Sequence, residues 1–477
     1  MKKLLCVLLT AALLAGCTAV PAGTTAPAQT AAPLETESVR IVLSDQEVQF
    51  PENSGVEVVR EAAHTLVRIT EPGGYVLTGQ LSEGQIAVDL GENAKDDPDA
   101  VVYLVLDDAE ITCRTAPAIL FYNVYECGEP GLPAGANLIL KEGSENLVVG
   151  SHTEEYDGAV YSRMSMNIGG EGCLNITADN EGLDSEMHLT IHSGDISIES
   201  GNDGINANAD GVSVITICGG KLRIAVTGAT GEGDGIDSNG SIVISGGHVE
   251  AYACADSADS GIDADLGIRI TGGTVIATGN MLDRIDDGGQ TYAVFTFAQT
   301  QSGGSYTLKN EGGTVLFEVT PPNAFSSLLL SGPELTEGTY TLWSGDTQLE
   351  GMVQTGGFFQ GPQPIERPEW PGRGDGDVEI PPQPTMPIVT QGTVQPPAGE
   401  QPENMPVPPM PENGGSMPTP PLPEGSEAMP MPEPPAGVEP GGSGRQPVNV
   451  LPATGVISEE FPIKQGANYF YMVRPVE

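Results

Sequence analysis

The chain is poor in basic residues, and this shortage excludes several classes of partner. It has 19 Lys and Arg residues against 65 Asp and Glu residues, which gives a formal net charge of −46. An acidic surface of this kind repels nucleic acid and anionic lipid headgroups, and we expect neither as a partner. Divalent cations, by contrast, are attracted to it.

Aromatic residues and helical patterns are also scarce. Aromatic residues make up 5% of the chain, and Tyr252 is the only one between positions 170 and 280. No long stretch has helical periodicity. A β-propeller is disfavoured because its blades need about 40–45 residues each and usually carry an aromatic signature. A flat aromatic platform for crystalline cellulose is not evident on this stretch either.

The cysteines do not form a regular framework. Two of the seven lie near the N-terminus, Cys6 and Cys17. The other five are Cys113, Cys127, Cys173, Cys218 and Cys254. An odd number at irregular spacings, with no C-x-x-C pair, argues against a full disulfide framework, a zinc site or redox chemistry. We expect small buried residues, with a Cys113–Cys127 bridge as the main exception.

What the sequence does contain is a repeat. A phrase of the form acid-Gly-Ile-Asp occurs at residues 181–184, 203–206, 234–237 and 260–263, with some variation. Its glycines are Gly182, Gly204, Gly235 and Gly261, so the steps are 22, 31 and 26 residues. Between the phrases lie short alternating runs rich in Ile, Leu and Val, several of them interrupted by Gly-Gly. Alternation with a period of two predicts strands, and glycine pairs predict turns.

A repeat built only from short strands and turns cannot bury its apolar face alone, so successive copies must stack. The sequence therefore predicts an all-β fold, a parallel β-helix in which each copy is one coil. We expect Ile, Leu and Val to point into a narrow core, and Thr, Ser, Arg and Lys to point outward.

The N-terminus predicts secretion and lipid anchoring. A short basic start and an apolar run too short to span a membrane are typical of a signal peptide, here residues 1–16. The sequence Leu-Ala-Gly-Cys at residues 14–17 resembles a bacterial lipoprotein box, which implies lipidation of Cys17. We therefore expect an extracytoplasmic protein on the cell surface, in contact with the membrane only through its lipid anchor. An ordinary signal peptide with an incidental cysteine is the alternative.

Composition divides the rest of the chain. Residues 361–450 contain 25 of the 40 prolines, and such a segment cannot bury enough apolar surface to offset its ordering entropy. The predicted parts are a signal peptide (1–16), a flexible tether (17–37), a parallel β-helix domain (38–280), a C-terminal β cap (281–355), a long disordered Pro-rich segment (356–448) and a C-terminal strand segment (449–477).

The repeated acidic turns predict a metal site. Equivalent positions on adjacent coils are about 4.7–4.9 Å apart, so a repeated carboxylate forms a ladder of like charges. Two oxygens on opposite sides of one calcium ion lie about 4.6–5.2 Å apart, which matches this spacing. We predict that Ca²⁺ bridges adjacent turns, and the candidate ligands are Asp184, Asp203, Asn206, Asp234, Asp237 and Asp263. The alternative is an Asx-turn ladder, in which these side chains hydrogen-bond their own backbone at corners.

Several stretches together resemble a known family. They are residues 75–79 (YVLTG), 84–89 (GQIAVD) and 104–112 (LVLDDAEIT), followed by the Gly-Ile-Asp turns with Ile-Ser-Gly-Gly and Ile-Thr-Gly-Gly. They resemble the bacterial cell-surface carbohydrate-binding β-helix family, whose clostridial member binds cellulose and acidic sugars. Over about residues 38–345, the resemblance implies a right-handed parallel β-helix with bound calcium, similar in shape to pectate lyases but regarded as a binding protein.

Three functions remain open from the residues. We expect a protein without enzymatic activity that binds polysaccharide, either acidic sugars or cellulose, and acidic sugars held through calcium fit the residues better. A calcium-dependent pectate-type lyase is the first alternative. Its candidate bases are Lys221, Arg223, Arg269, His188, His192 and His248. A structural surface adhesin without a sugar site is the second.

Overall fold

The computed structural model describes residues 38–60, 63–131, 133–353 and 455–473. All of them belong to one compact unit of the chain. The predicted signal peptide, the lipidation site Cys17, the tether and the Pro-rich segment lie outside the described residues. In the part of the chain that is described, no helix is long and apolar enough to cross a membrane.

The described residues form strands and turns. The strands are β1 (Val39–Leu43), β2 (Val56–Arg60), β3 (Thr65–Ile69), β4 (Gly73–Leu81), β5 (Gly84–Asp89), β6 (Val102–Thr112), β7 (Ile119–Asn123), β8 (Ala136–Leu140), β9 (Glu145–Gly150), β10 (Gly158–Ser162), β11 (Met166–Gly170), β12 (Cys173–Ala178), β13 (Glu181–Ser185), β14 (Leu189–Ile191), β15 (Asp195–Ser200), β16 (Ile205–Ala207) and β17 (Val214–Ile217). They continue as β18 (Lys221–Val226), β19 (Ile236–Ser238), β20 (Ser241–Ile244), β21 (His248–Tyr252), β22 (Ile262–Ala264), β23 (Gly267–Ile270), β24 (Thr274–Gly279), β25 (Tyr292–Gln301), β26 (Tyr306–Asn310), β27 (Val315–Val319), β28 (Phe325–Ser331), β29 (Gly338–Ser344), β30 (Thr347–Gln348), β31 (Gly351–Val353), β32 (Val456–Ser458), β33 (Phe461–Ile463) and β34 (Ala467–Met472). The all-β prediction is confirmed, since the helical structure in the described ranges is a 3-10 turn over Ala94–Asp96.

Three sheets contain these strands. A 20-stranded sheet is parallel from β1 to β24, a nine-stranded sheet runs β2-β3-β5-β7-β10-β13-β16-β19-β22, and a five-stranded sheet contains β26, β27, β29, β30 and β33. In the nine-stranded sheet all neighbours after the antiparallel β2–β3 pair are parallel. Each copy of the repeat thus adds parallel strands to both large sheets.

The repeat phrase has one register throughout. Leu183, Ile205, Ile236 and Ile262 are partners on neighbouring strands, and all four are buried. In the 20-stranded sheet, Ile196, Leu222, Val249 and Val275 form an equivalent buried row. These apolar rows are the core of the repeated region, which explains the alternation seen in the sequence.

Close approach of the backbone explains the glycine of the phrase. A Cβ atom on Gly235 would lie 2.5 Å from the carbonyl oxygen of Gly261, and one on Gly204 would lie 2.6 Å from that of Gly235. No real Cβ tolerates such a contact, so only glycine fits where neighbouring turns stack. Glycine recurs in the phrase because a side chain would not fit there. Backbone conformation is not the reason, since none of these positions has a positive φ.

Antiparallel strands end the parallel stack. Strand β24 pairs antiparallel with β28, which also pairs antiparallel with β25. Strand β25 in turn pairs parallel with β34 near the C-terminus. An aromatic core includes Phe295, Phe325, Phe461 and Phe470. This core accounts for the rise in aromatic residues after position 280.

Two of the five cysteines match the expectation of small buried residues. Cys113, Cys127, Cys173 and Cys254 are free; the first and last are buried, and the other two are half-buried. The bridge between Cys113 and Cys127 that was considered as an exception is therefore absent from the fold.

Candidate functional site

One row of polar side chains crosses the nine-stranded sheet. Asp184 on β13, Asn206 on β16, Asp237 on β19 and Asp263 on β22 are partners in register. Each follows the buried Leu or Ile of its strand, so it lies on the opposite face of the sheet from the core. The backbones of neighbouring members are therefore about 4.7–4.9 Å apart across the sheet.

A second acidic row lies three residues earlier, where each repeat turns into its strand. It consists of Glu181, Asp203 and Asp234. The Asp203 Oδ1 atom accepts a hydrogen bond from the backbone N–H of Asp234 (2.7 Å). The Asp234 Oδ1 atom accepts one from the N–H of Ser260 (2.5 Å). These carboxylates bind the backbone of the next repeat, whereas the Asx-turn alternative has them bind their own.

Three of the six predicted ligands come together. One carboxylate oxygen from each of Asp234, Asp237 and Asp263 lies within 4.8 Å of the other two. Asp234 and Asp263 are buried, and Asp237 is half-buried. These three residues, called the Asp234 group below, combine the two rows, because Asp234 comes from the turn and the other two come from the strands.

The other predicted ligands have different neighbours. Asn206 Nδ2 donates a hydrogen bond to Glu181 Oε1 (3.0 Å), and Asn208 Nδ2 donates one to Asp184 Oδ1 (2.9 Å). Asp203 lies beside Asp234 through its backbone hydrogen bond. These three residues thus form a polar network alongside the Asp234 group and are not members of it.

The acidic side chains have strongly perturbed pKa values. Burial, followed by repulsion from Asp263, Asp203 and Asp237, raises the pKa of Asp234 well above its ordinary value. Burial and the neighbouring Glu181 raise the pKa of Asp203 to about 8. Burial raises the pKa of Glu181 to about 7. Negative charge is therefore costly here unless a cation compensates it.

The donor set fits a hard divalent cation. Calcium takes oxygen ligands at about 2.3–2.6 Å, so oxygens within 4.8 Å of one another can share one ion. The set contains carboxylates and no thiol or imidazole, which excludes a typical zinc or copper donor set. In the polar network alongside it, Glu181 Oε2 and Asp184 Oδ2 are buried without a hydrogen-bond partner among the described residues. Such oxygens are the kind of group that a cation satisfies.

Sequence reasoning missed one acidic residue of this region. Asp283 lies outside the repeat phrase, yet its Oδ2 accepts a hydrogen bond from the backbone N–H of Ala264 (3.1 Å). Burial and repulsion from Asp263 raise the pKa of Asp283 to about 7. The sequence gives no indication of this position, because it follows the last repeat and has no counterpart in the others.

The candidate bases lie on another sheet. Arg223, His248 and Arg269 belong to β18, β21 and β23 of the 20-stranded sheet. Lys221 is also on β18, and His188 and His192 flank β14. None of these six belongs to the nine-stranded sheet that carries the Asp234 group.

Comparison with known proteins identifies a family whose model matches this chain. A family model described as carbohydrate-binding domain-containing protein matches residues 63–310. A relative with the same description, from Acetivibrio thermocellus, is 28% identical over 164 residues, which are 34% of this chain and 54% of the relative. The chain therefore spans about half the length of that relative.

A solved structure has also been found to be similar. It is the structure of the polysaccharide lyase-like protein from C. thermocellum, in a gadolinium derivative. It shares 22% sequence identity with this chain, covers 50% of this chain and 89% of its own, and has a TM-score of 0.39.

Proposed function

The chain belongs to the family of carbohydrate-binding domain-containing proteins, and from this premise we propose that it binds acidic polysaccharide through a calcium ion. The ion would be held by Asp234, Asp237 and Asp263. The observation that carries the proposal is that these three carboxylates, from two neighbouring repeats, offer oxygens within 4.8 Å of one another. Calcium supplies positive charge and coordination positions for oxygen atoms of a ligand.

The charge of the protein supports an acidic ligand held through a cation. At a net charge of −46, the protein repels a polymer that carries carboxylates. A divalent ion between two sets of carboxylates removes that repulsion and links them. The three aspartates would bind the ion on the protein side, and the half-buried Asp237 is the member of the group that contacts solvent.

We infer that the scaffold of this site is a right-handed parallel β-helix. Its support is the common register of the repeat phrases on β13, β16, β19 and β22, with matching parallel rows in the 20-stranded sheet. Crossover connections between parallel strands are right-handed in about 98% of cases. A stack of this kind brings equivalent carboxylates to the spacing that an ion can bridge.

We propose binding without catalysis. In a lyase a base must lie within reach of the α-proton of the bound uronate. The candidate Arg223 forms an ion pair with Glu250 and lies on the other large sheet. This placement favours a binding protein over a lyase. Metal binding by the Asp234 group would favour both of these functions over an adhesin without a sugar site.

One experiment separates the three functions. Purified protein is assayed for metal content and then for binding to polygalacturonate, with calcium and with EDTA, while absorbance in the ultraviolet reports unsaturated products. We expect bound calcium, binding that EDTA weakens and no rise in absorbance. A rise in absorbance would establish a lyase. Equal binding in calcium and EDTA would contradict the calcium-mediated mechanism, and failure to bind any glycan on an array would favour the adhesin.

A further inference from the structure

A cluster of cations lies on the outer face of the 20-stranded sheet. Between residues 158 and 280 the chain has four Lys and Arg residues: Arg163, Lys221, Arg223 and Arg269. Two of them, Lys221 and Arg223, are on β18, where they alternate with the buried Leu222 and Ile224. Alternation directs both cations away from the core. In a chain with so few basic residues, two cations on one strand form an unusual concentration of positive charge.

Arg223 is held in place by its neighbours on β21. It forms an ion pair with Glu250 through Nη1, and its guanidinium lies 5.0 Å from the centre of the Tyr252 ring. The Tyr252 hydroxyl donates a hydrogen bond to Glu250 Oε2 (2.8 Å). Tyr252 itself is fully buried in the aromatic core of the C-terminal strands. The guanidinium is therefore preorganised on a rigid support.

The acidic partners of this cluster are already engaged. Glu250 Oε1 is 3.0 Å from His248 Nε2, while its Oε2 receives Arg223 and Tyr252. Lys221 Nζ is 3.3 Å from Asp195 Oδ2. The side chains of Lys221, Arg223 and His248 are 60%, 43% and 40% exposed, whereas that of Glu250 is 20% exposed. The surface therefore offers hydrogen-bond donors to solvent around the largely covered Glu250, with Asp195, 47% exposed, as an accessible acceptor beside Lys221.

Short polar side chains lie beside Arg223 on the outer face of the sheet. Asn175 on β12, Ser197 on β15 and Arg223 on β18 are partners in register, so they form one row across the sheet. The first two side chains are short and polar. A chain molecule that runs across the strands can lie on this row, between the exposed Asp195 and Glu199 of β15, and reach the guanidinium.

We propose that this face, formed by Lys221, Arg223 and His248 beside Ser197 and Asn175, binds the carboxylate of an acidic saccharide directly, without a metal ion. The inference rests on the proposed function for the class of ligand, but it uses none of the aspartates of the Asp234 group. The planar guanidinium can bind a carboxylate through two parallel hydrogen bonds. In the described part of the chain, the hydrogen bonds of Arg223 use Nη1, which leaves Nε and Nη2 for this role.

The test is the binding of polygalacturonate in EDTA, measured by calorimetry at moderate ionic strength, which screens the long-range repulsion between the acidic protein and the polymer. We expect residual affinity that Arg223→Gln and Lys221→Gln each lower about tenfold, because each loses a charge-assisted hydrogen bond. Lys221→Gln changes an exposed side chain that makes none of the Arg223–Glu250–Tyr252 contacts, and an unchanged melting temperature would show that a loss of binding is not a loss of folding. The matched control is Arg269→Gln, which removes the same charge from exposed Arg269 on β23 and should bind like the parent.

The result also separates this site from the calcium site. Binding in EDTA that is lost in both variants, together with an intact gain on adding calcium, supports the proposal. A fully methyl-esterified polymer should not bind at this face, because it lacks the charge. No binding in EDTA, equal loss in Arg269→Gln, or undiminished binding of the esterified polymer would each overturn the proposal. Absence of a calcium effect with EDTA-resistant binding would instead overturn the proposed function alone.

Discussion

The Asp203 carboxylate accepts a hydrogen bond from the backbone N–H of Asp234, one repeat further along the chain, at 2.7 Å. The bond ties two neighbouring turns together, but it places a carboxylate where burial and Glu181 oppose its charge. Structural hydrogen bonding and the proposed metal site thus share one set of acidic turns. Asp203 serves the first role, and we propose the second for the group that includes Asp234.

This arrangement predicts how stability depends on pH without metal. The folded pKa values are raised to about 8 for Asp203 and about 7 for Glu181 and Asp283. A group with a raised folded pKa contributes stability that is fully present below its unfolded pKa and is lost as the pH rises through the folded value. The melting temperature in EDTA should therefore fall between about pH 4 and pH 8.

The matched variant for this prediction is Asp203→Asn. It retains an oxygen that accepts the N–H of Asp234 but removes one titrating group, so the fall should be smaller. Differential scanning calorimetry across the pH range measures both. A melting temperature that rises over this range in EDTA would contradict the raised pKa values.

The sequence predicted the stack well and the metal group only in part. The acid-Gly-Ile-Asp phrase predicted parallel strands, and its Leu and Ile residues form one buried row in common register. It did not predict which carboxylates converge. That depends on side-chain directions in two rows, and on turns whose lengths differ from repeat to repeat.

Two long-range contacts were not predicted. Asp283 reaches Ala264 from outside the repeats. Strand β34 pairs with β25 although about 170 residues separate them in sequence, as the contact between Tyr292 and Tyr469 shows. The C-terminal strand segment was predicted from its alternating pattern, but such a pattern does not indicate which distant strand it pairs with.

A second prediction concerns the C-terminal strands. Val353 and Val456 are partners in the antiparallel pair β31–β32, so the chain leaves and re-enters the described fold at one place. We predict that proteases cut first between residues 356 and 448. The C-terminal fragment should then stay bound to the core, because Phe461 and Phe470 pack against Phe295 with ring centres 5.4 and 5.3 Å away.

Size-exclusion chromatography of the cut protein, followed by a denaturing gel, measures this association. Phe461→Ala should weaken it by about 3–5 kcal/mol, the usual cost of removing a buried Phe ring. Exposed Pro462 provides the control variant Pro462→Ala. Separation of the two parent fragments on the column would show that the strand pairing does not hold them.

A third prediction concerns location, which we propose to be the outer face of the cell membrane. If Cys17 is lipidated after cleavage of the signal peptide, Cys17→Ala should release the protein from membranes, because a peptide without acyl chains has no stable anchor. Cys6→Ala, within the predicted signal peptide, is the control. Partition into detergent that is the same for Cys17→Ala and the parent would rule out the lipoprotein hypothesis.

The last prediction concerns the Asp234 group. If Asp234 and Asp237 hold calcium with Asp263, calcium should raise the melting temperature of the parent protein and strengthen its binding to polygalacturonate together. Ligand linkage gives about 2.7 kcal/mol of stabilisation at a free ligand concentration 100 times the dissociation constant, which is readily visible in a melt.

The double variant Asp234→Asn, Asp237→Asn should lose both responses, and its metal-free form should be no less stable than the parent, because repulsion among buried carboxylates has also gone. Exposed Asp256 and Asp265 supply a control with the same change of charge, Asp256→Asn with Asp265→Asn, which should keep both calcium responses. If instead the acidic turns serve only as hydrogen-bonding structure, calcium leaves the parent melt unchanged, and the Asn side chains, which still accept backbone hydrogen bonds, behave like the parent. A melt insensitive to calcium, with sugar binding undiminished in EDTA, would therefore eliminate the metal-mediated mechanism.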